Sequence, residues 1–223
     1  MTREELLKVA KPMMVNSEVA KTMDRKCQTR RIIKSVLNGG IIHSNSFARG
    51  DFDDYVVEMT QFDKKEIYPK WQVGDILWIR EPAKVVKSEC KFNKYFATFE
   101  YLSDKKQVYL EIPIEHLHKR WMSDNRGIPN GCIKEIARDF RIVTNVRVER
   151  LRDISDNDLV DEGLDMEMRT HNDFNAMRST HWESCPAFKW FITLWNSTAP
   201  KGYKWEDNPY VFVYEFERVE ATE

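Results

Sequence analysis

Cysteine is scarce and scattered in this chain. Cys27, Cys90, Cys132 and Cys185 lie far apart, and no two stand in a C-x-x-C arrangement. That spacing offers neither a structural zinc knot nor a disulfide framework, and it fits a reducing compartment. Excess charge is missing too: 35 basic side chains are offset by 36 acidic ones. A balanced chain does not coat duplex nucleic acid through its whole surface, although a single basic cleft is compatible with that balance. No run approaches the roughly 18 apolar residues of a membrane-spanning helix. The opening Met1-Thr2-Arg3-Glu4-Glu5 has no apolar signal core. The expectation is a cytoplasmic protein with no membrane partner. Repeats and low-complexity linkers are lacking as well, so the reading is one domain over residues 1–223.

What is present is globular: 42% hydrophobic and 12% aromatic residues are enough to build a sizeable core. Residues 2–10 and 17–24 read as short helices broken at Pro12. Residues 41–55 read as a loop, and 56–62 as a strand. Gly74-Asp75 is turn chemistry before an apolar strand that Pro82 stops. Two strands are expected at 92–102 and 106–112, then an irregular stretch at 115–131. Phe140 to Leu151 alternates apolar and polar, as a half-buried strand does. Ser155 is placed to cap a short helix ending near Asp161, with Gly163 in the left-handed position that closes it. An aromatic helix over 186–197 and a final strand over 211–216 complete the order. Helices at the start, then strands, then short helices and a last strand predict an α+β domain, as a small β-barrel or curved sheet with helices packed on it.

The densest chemistry is Asp24-Arg25-Lys26-Cys27-Gln28-Thr29-Arg30-Arg31. A lysine three residues before a threonine can share one side of a turn with it. The pair becomes base and nucleophile only when burial lowers the lysine pKa, because an ammonium cannot accept a proton. The two arginines supply planar donors for carboxylate, phosphate or a base edge. The bland alternative is a solvated basic patch. Arg80-Glu81, at the end of the strand that Pro82 stops, puts one charge on each face of that strand. Glu81 is a candidate ligand contact or a salt-bridge partner for residues 25–31. Glu149 is expected to pair with a surface arginine. Trp71, Trp78, Trp121 and Trp205 could stack a base, and Trp205, beside Glu206-Asp207, is the one least committed to a core. His116 and His118 are a weak acid–base or metal signal without a third partner in sequence reach, so no metal and no cofactor is expected.

The order of these segments resembles the ASCH family, a PUA-like class of small β-barrels, and in particular the ASCH-containing proteins common in bacteriophage genomes. Lys26-Cys27-Gln28-Thr29-Arg30-Arg31 matches that family's KTQTRR element, with Cys27 where threonine is usual. Gly74 to Glu81 matches GDxLWVRE, Ala137 to Ile154 matches ARxFLxVTxVRVERLQDI, and Asn208 to Phe216 matches NPWVWVxEF. The resemblance spans residues 11–219, with insertions near 41–70, 113–131 and 165–187. It implies a PUA-like barrel with long loop insertions, working in a host cytoplasm if the chain is phage-encoded.

Small bacterial ASCH proteins include an amidohydrolase that removes acetyl from N4-acetylcytidine with a lysine, a threonine and a glutamate. On this chain the resemblance implies Lys26, Thr29 and Glu162 as catalytic residues, with Asp161 one position from the glutamate. Arg30, Arg31, Arg80, Glu81 and Trp205 are the expected substrate-binding residues, and the partner a modified nucleoside or RNA. The expected reaction is amide hydrolysis of an N4-acylated cytidine-type nucleoside. The alternatives are a non-catalytic module gripping RNA or a modified nucleotide, and a ribonuclease.

Overall fold

The computed structural model describes residues 1–34, 40–46, 53–59, 63–117, 119–123, 127–128, 131–165 and 185–222. In chain order the elements are α1 (Arg3–Val9), β1 (Lys11–Met14), α2 (Ser17–Ala20), β2 (Gln28–Ile32), β3 (Gly40–Ser46), β4 (Asp53–Met59), β5 (Lys64–Ile67), β6 (Ile76–Arg80), β7 (Ala83–Lys91), β8 (Lys94–Tyr101) and β9 (Gln107–Glu111). They continue with α3 (Arg120–Ser123), β10 (Phe140–Arg150), α4 (Asp156–Asp161), α5 (Pro186–Thr198) and β11 (Tyr210–Val219). The class is mixed α+β, with most of the ordered backbone in sheets. Among the described residues the strands pair into sheets without closing into a barrel. None of their helices is long and apolar enough to cross a membrane.

The chain divides into two compact units. The first joins Met1–Asp24, Asp75–Ile142 and Glu217–Glu223; the second joins Arg25–Gly74 and Val143–Phe216. The long strands β10 and β11 each pass from one unit to the other within their length.

In the first unit, β1 runs parallel to β6, and Phe140 at the start of β10 pairs antiparallel with Trp78 of β6. Gly74, at φ +89°, makes the left-handed turn that launches β6, a conformation glycine adopts without cost. Leu77, Trp78 and Ile79 are all buried, so β6 is apolar on both faces and reads as a continuous run. The β7–β8–β9 meander lays Val85, Ala97 and Phe99 against Leu6, Ile136 and Phe140 to form this unit's core.

In the second unit, β2 pairs antiparallel with β11 at the edge of the sheet containing β10. A separate antiparallel sheet pairs β3 with β4 and β4 with β5. In α5, Phe188, Phe191 and Trp195 repeat at helical spacing and are buried against Leu151, Leu159, Val211 and Val213. Ser155 caps α4 in a full capping box with Asp158: its hydroxyl accepts from the Asp158 N–H, and the Asp158 carboxylate accepts from the Ser155 N–H. Gly163 follows at φ +98° and closes the helix.

Within the loop expected at 41–55, residues 41–46 and 53–55 are strand, in β3 and the start of β4, and 47–52 lie outside the described residues. The His-Ser-Asn-Ser sequence of β3 carries no alternation, and the pairing comes from the neighbouring strand. Strand β7 was also not foreseen, because Lys-Val-Val-Lys-Ser-Glu-Cys-Lys mixes the two periods around a bulge between Val85 and Lys87. Of the expected insertions, 166–184 lies outside the described residues, as does His118.

Replacing Ser155 with Ala is expected to lower stability by about 1 kcal/mol, the usual worth of an N-cap, as a shift in urea midpoint at unchanged slope.

Candidate functional site

The antiparallel register of β2 with β11 sorts the basic element into two faces. Gln28, Arg30 and Ile32 stand opposite Glu215, Val213 and Val211, while Thr29 and Arg31 stand opposite Tyr214 and Phe212. Directly opposed residues share a face, and successive residues alternate. One face therefore carries Gln28 and Arg30 and the other carries Thr29 and Arg31. Lys26 precedes the strand. The pairing extends to its neighbour, since Phe216 N donates to Cys27 O at 2.8 Å.

The Gln28–Arg30 face meets a cluster of carboxylates from β10 and α4. Arg30 Nε donates to Glu149 Oε1 at 2.8 Å, and Nη1 donates to Glu162 Oε1 at 3.1 Å and to Gln28 Oε1 at 2.6 Å. Its Nη2 lies 3.3 Å from Asp158 Oδ2. Gln28 Nε2 and Arg147 Nη2 both donate to Asp158 Oδ1, at 2.9 and 2.8 Å. Arg147 also binds Glu215. Burial works against the Arg30 charge, but Glu162, Glu149 and Asp158 outweigh it and hold the guanidinium above its ordinary range. For Asp158, partial burial is outweighed by hydrogen bonds from Ser155 and Gln28 and by the Arg30 charge, which hold its carboxyl down to about 2.

Lys26 lies at the centre of this cluster. It is 2% exposed, and its Nζ donates to the Glu162 carboxylate and, at 2.9 Å, to the Glu162 backbone carbonyl. Helix α4 delivers both acceptors, because Glu162 is its C-cap residue. The anchoring is local: Cys27 N donates to Asp161 O at 2.9 Å, and Arg25 Nε to Gly163 O at 3.0 Å. Burial pushes the Lys26 amine below its usual value. Glu162 opposes the shift, and Arg31 and Arg30 add to it. The direction of that balance is downward, toward an uncharged amine.

Of the two adjacent acids, Glu162 reaches Lys26, whereas Asp161 accepts from the Cys27 thiol at 3.3 Å. Burial and Asp161 push that thiol up to about 11, so Cys27 stays protonated and is no nucleophile at neutral pH.

The opposite face of β2 is aromatic. Thr29 is 6% exposed, beside Tyr214. Arg31 lies with its guanidinium carbon 5.8 Å from the Trp71 ring centroid, and Trp71 meets Tyr214 edge-on at 4.9 Å. Burial depresses the Arg31 pKa. Lys70 N donates to the Tyr214 hydroxyl at 3.0 Å, which fixes the loop that carries Trp71.

The structure thus brings Lys26 and Arg30 each into contact with Glu162, and it places Thr29 and Arg31 on the other face of β2 from Arg30. Trp205 also belongs to the second unit, but it is buried in the apolar core, edge-on to Phe191 at 6.1 Å. Its ring is packed and does not face solvent.

Arg80 and Glu81 belong to the first unit. Glu81 is buried and takes a two-pronged contact from Arg138, Nε to Oε1 at 2.5 Å and Nη2 to Oε2 at 2.9 Å, with Ser103 Oγ at 3.0 Å. The salt bridge foreseen with residues 25–31 is made with Arg138 instead. Arg80 lies over the Trp78 ring at 5.6 Å. In the same unit, donor atoms of Glu115, His116 and Glu135 lie within 4.8 Å of one another, with His116 Nε2 3.5 Å from Glu135. Those three side chains could hold a cation. Glu135 is the partner that sequence distance hid.

Sequence reasoning missed the second shell around Lys26. Asp158 read only as a capping residue, and Glu149 was assigned to a surface arginine. Alternation along β10 was the available signal for Glu149, because it shares a strand face with Arg147. Comparison with family models, with curated proteins and with solved structures finds no match to this chain.

Replacing Glu162 with Gln is expected to cost about 3–5 kcal/mol, since it strands a buried lysine, whereas Lys26→Met combined with Glu162→Leu recovers most of that loss. Urea unfolding of the three proteins checks it. Asp158 has a pKa depressed on folding, so its contribution is present above pH 3.8 and is lost as pH falls toward 2. The stability gap between wild type and Asp158→Asn is therefore expected to narrow across that interval in a pH series of melts.

Proposed function

We propose that this chain is an ASCH-type, PUA-like protein that hydrolyses the acyl amide of an N4-acylated cytidine-type nucleoside. Thr29 is the nucleophile and Lys26 its base. The observation that carries the reading is the buried Lys26, held by both the carboxylate and the backbone carbonyl of Glu162; burial there pushes the amine downward from its usual value. In the uncharged form that the proposal requires, the amine has two N–H groups and one lone pair; the two acceptors of Glu162 would take both N–H groups and leave the lone pair for Thr29.

In the proposed cycle the lone pair takes the Thr29 hydroxyl proton as Thr29 Oγ attacks the acyl carbon. The carbonyl π pair moves to oxygen and gives a tetrahedral oxyanion. Collapse breaks the C–N bond, and the Lys26 ammonium returns its proton to the departing exocyclic nitrogen. The cytidine departs at that point. Water, deprotonated by the same amine, then attacks the threonine ester; the C–O bond breaks, the Lys26 ammonium returns its proton to Thr29 Oγ, and the carboxylic acid leaves. Glu162 acts by position and charge: it holds the amine in place and stabilises the ammonium formed midway. The proposal requires the Lys26 amine, which precedes the regular strand, to reach the Thr29 hydroxyl across the start of β2.

Arg30 argues against a phosphate-gripping module, because Glu149, Asp158 and Glu162 already surround it. The geometry therefore supports an uncharged nucleoside over a polyanion. Incubation with N4-acetylcytidine, followed by chromatography for free cytidine, is expected to show turnover. Lys26→Ala and Thr29→Ala variants that stay folded are expected to lose at least about a hundredfold in rate. Full activity in either variant, or no product together with a salt-dependent mobility shift of RNA, would sink the proposal.

A further inference from the structure

Trp71 is 3% exposed, and among the described residues its indole Nε1–H has no hydrogen-bond acceptor. Buried tryptophan N–H groups usually find one, and a buried donor left unmet in a folded protein calls for a reason. The surroundings say what is missing. Lys70 Nζ stands 5.1 Å and the Arg31 guanidinium 5.8 Å from the ring centroid, so the ring already carries two cations. The edge of Tyr214 closes one side. The absent partner is an acceptor oxygen, since the indole Nε1–H can only donate. Thr29 and Arg31 lie on this same face of β2, with Tyr214 directly opposite Thr29.

We infer that Trp71 Nε1–H donates to the ring 2-carbonyl of the acylated pyrimidine, a specificity contact that rests on the amidohydrolase reading above. The substrate has two carbonyl oxygens. The acyl oxygen becomes the oxyanion and changes geometry during the reaction, whereas the ring carbonyl keeps its place from substrate to product. A fixed donor on a fixed aromatic wall fits the second. Its loss is therefore felt equally in ground state and transition state, and appears in KM and not in kcat.

The test pairs a protein change with a ligand change. Trp71→Phe keeps the ring and its cation contacts but removes the N–H. N4-acetylcytosine carries the 2-carbonyl, and 4-acetamidopyrimidine has hydrogen there. Wild type is expected to show a KM about tenfold lower for the first, and Trp71→Phe to erase that preference at unchanged kcat. In wild-type protein, the indole 1H–15N signal that Trp71→Phe removes should move when N4-acetylcytosine or cytidine is added. This second readout stands even where the variant folds poorly, with the signal assigned by selective labelling.

An undiminished preference in Trp71→Phe, or a Trp71 signal that stays still at saturating N4-acetylcytosine while hydrolysis proceeds, overturns this inference and leaves the amidohydrolase reading intact. Failure of the wild type to bind or cleave either acylated base overturns both.

Discussion

A lysine and a glutamate buried side by side dominate the physics of the second unit. Two charges removed from water cost several kcal/mol each before their attraction is counted, so such a pair persists only where hydrogen bonds satisfy the remaining donors and acceptors. Here Glu162 supplies both its carboxylate and its backbone carbonyl to Lys26, and Arg30 holds the other carboxylate oxygen. Arg30 is in turn held by Glu149 and Asp158. Removing the Glu162 carboxylate deprives both Lys26 and Arg30 of a partner at once. The capped helix α4 and the end of β2 are thereby tied together, which is the local constraint that places Glu162.

Strand alternation then divides labour within five residues. One face of β2 is spent on the ionic network and on the core formed with Val211 and Val213. The other face presents Thr29 and Arg31 to an aromatic pair, Trp71 and Tyr214. Under the proposed acyl-transfer chemistry, the ionic side would set protonation and the aromatic side would receive the flat base. The same division explains why Arg30 makes a poor phosphate ligand although it stands in a run of basic residues.

Much of this was legible in the sequence where the local signal was strong. Ser155 and Gly163 bracket a helix by cap and left-handed turn, and the apolar run after Gly74-Asp75 is a strand whichever way it faces. The convergence of Lys26 on Glu162 came only from the resemblance of motifs, because nothing local connects residues 136 apart. What the sequence hid were tertiary choices. Trp205 sits beside two acids and reads as exposed, yet its ring fills the core against Phe191. Glu81 has a basic element upstream and a basic Arg138 downstream, and only the pairing of β6 with β10 brings the second within reach. The division into two units is likewise invisible, because β10 and β11 serve both without any break in composition.

The central claim is that desolvation, not the neighbouring carboxylate, decides the protonation of Lys26. A direct measurement is an NMR titration of the lysine side-chain amines, with the Lys26 signal assigned through Lys26→Arg. The expected result is a Lys26 midpoint shifted down from 10.5 far enough that the amine is uncharged at the pH of turnover. A Lys26 midpoint at or above 10.5 would mean that Glu162 simply locks an ammonium in place, and it would contradict the account.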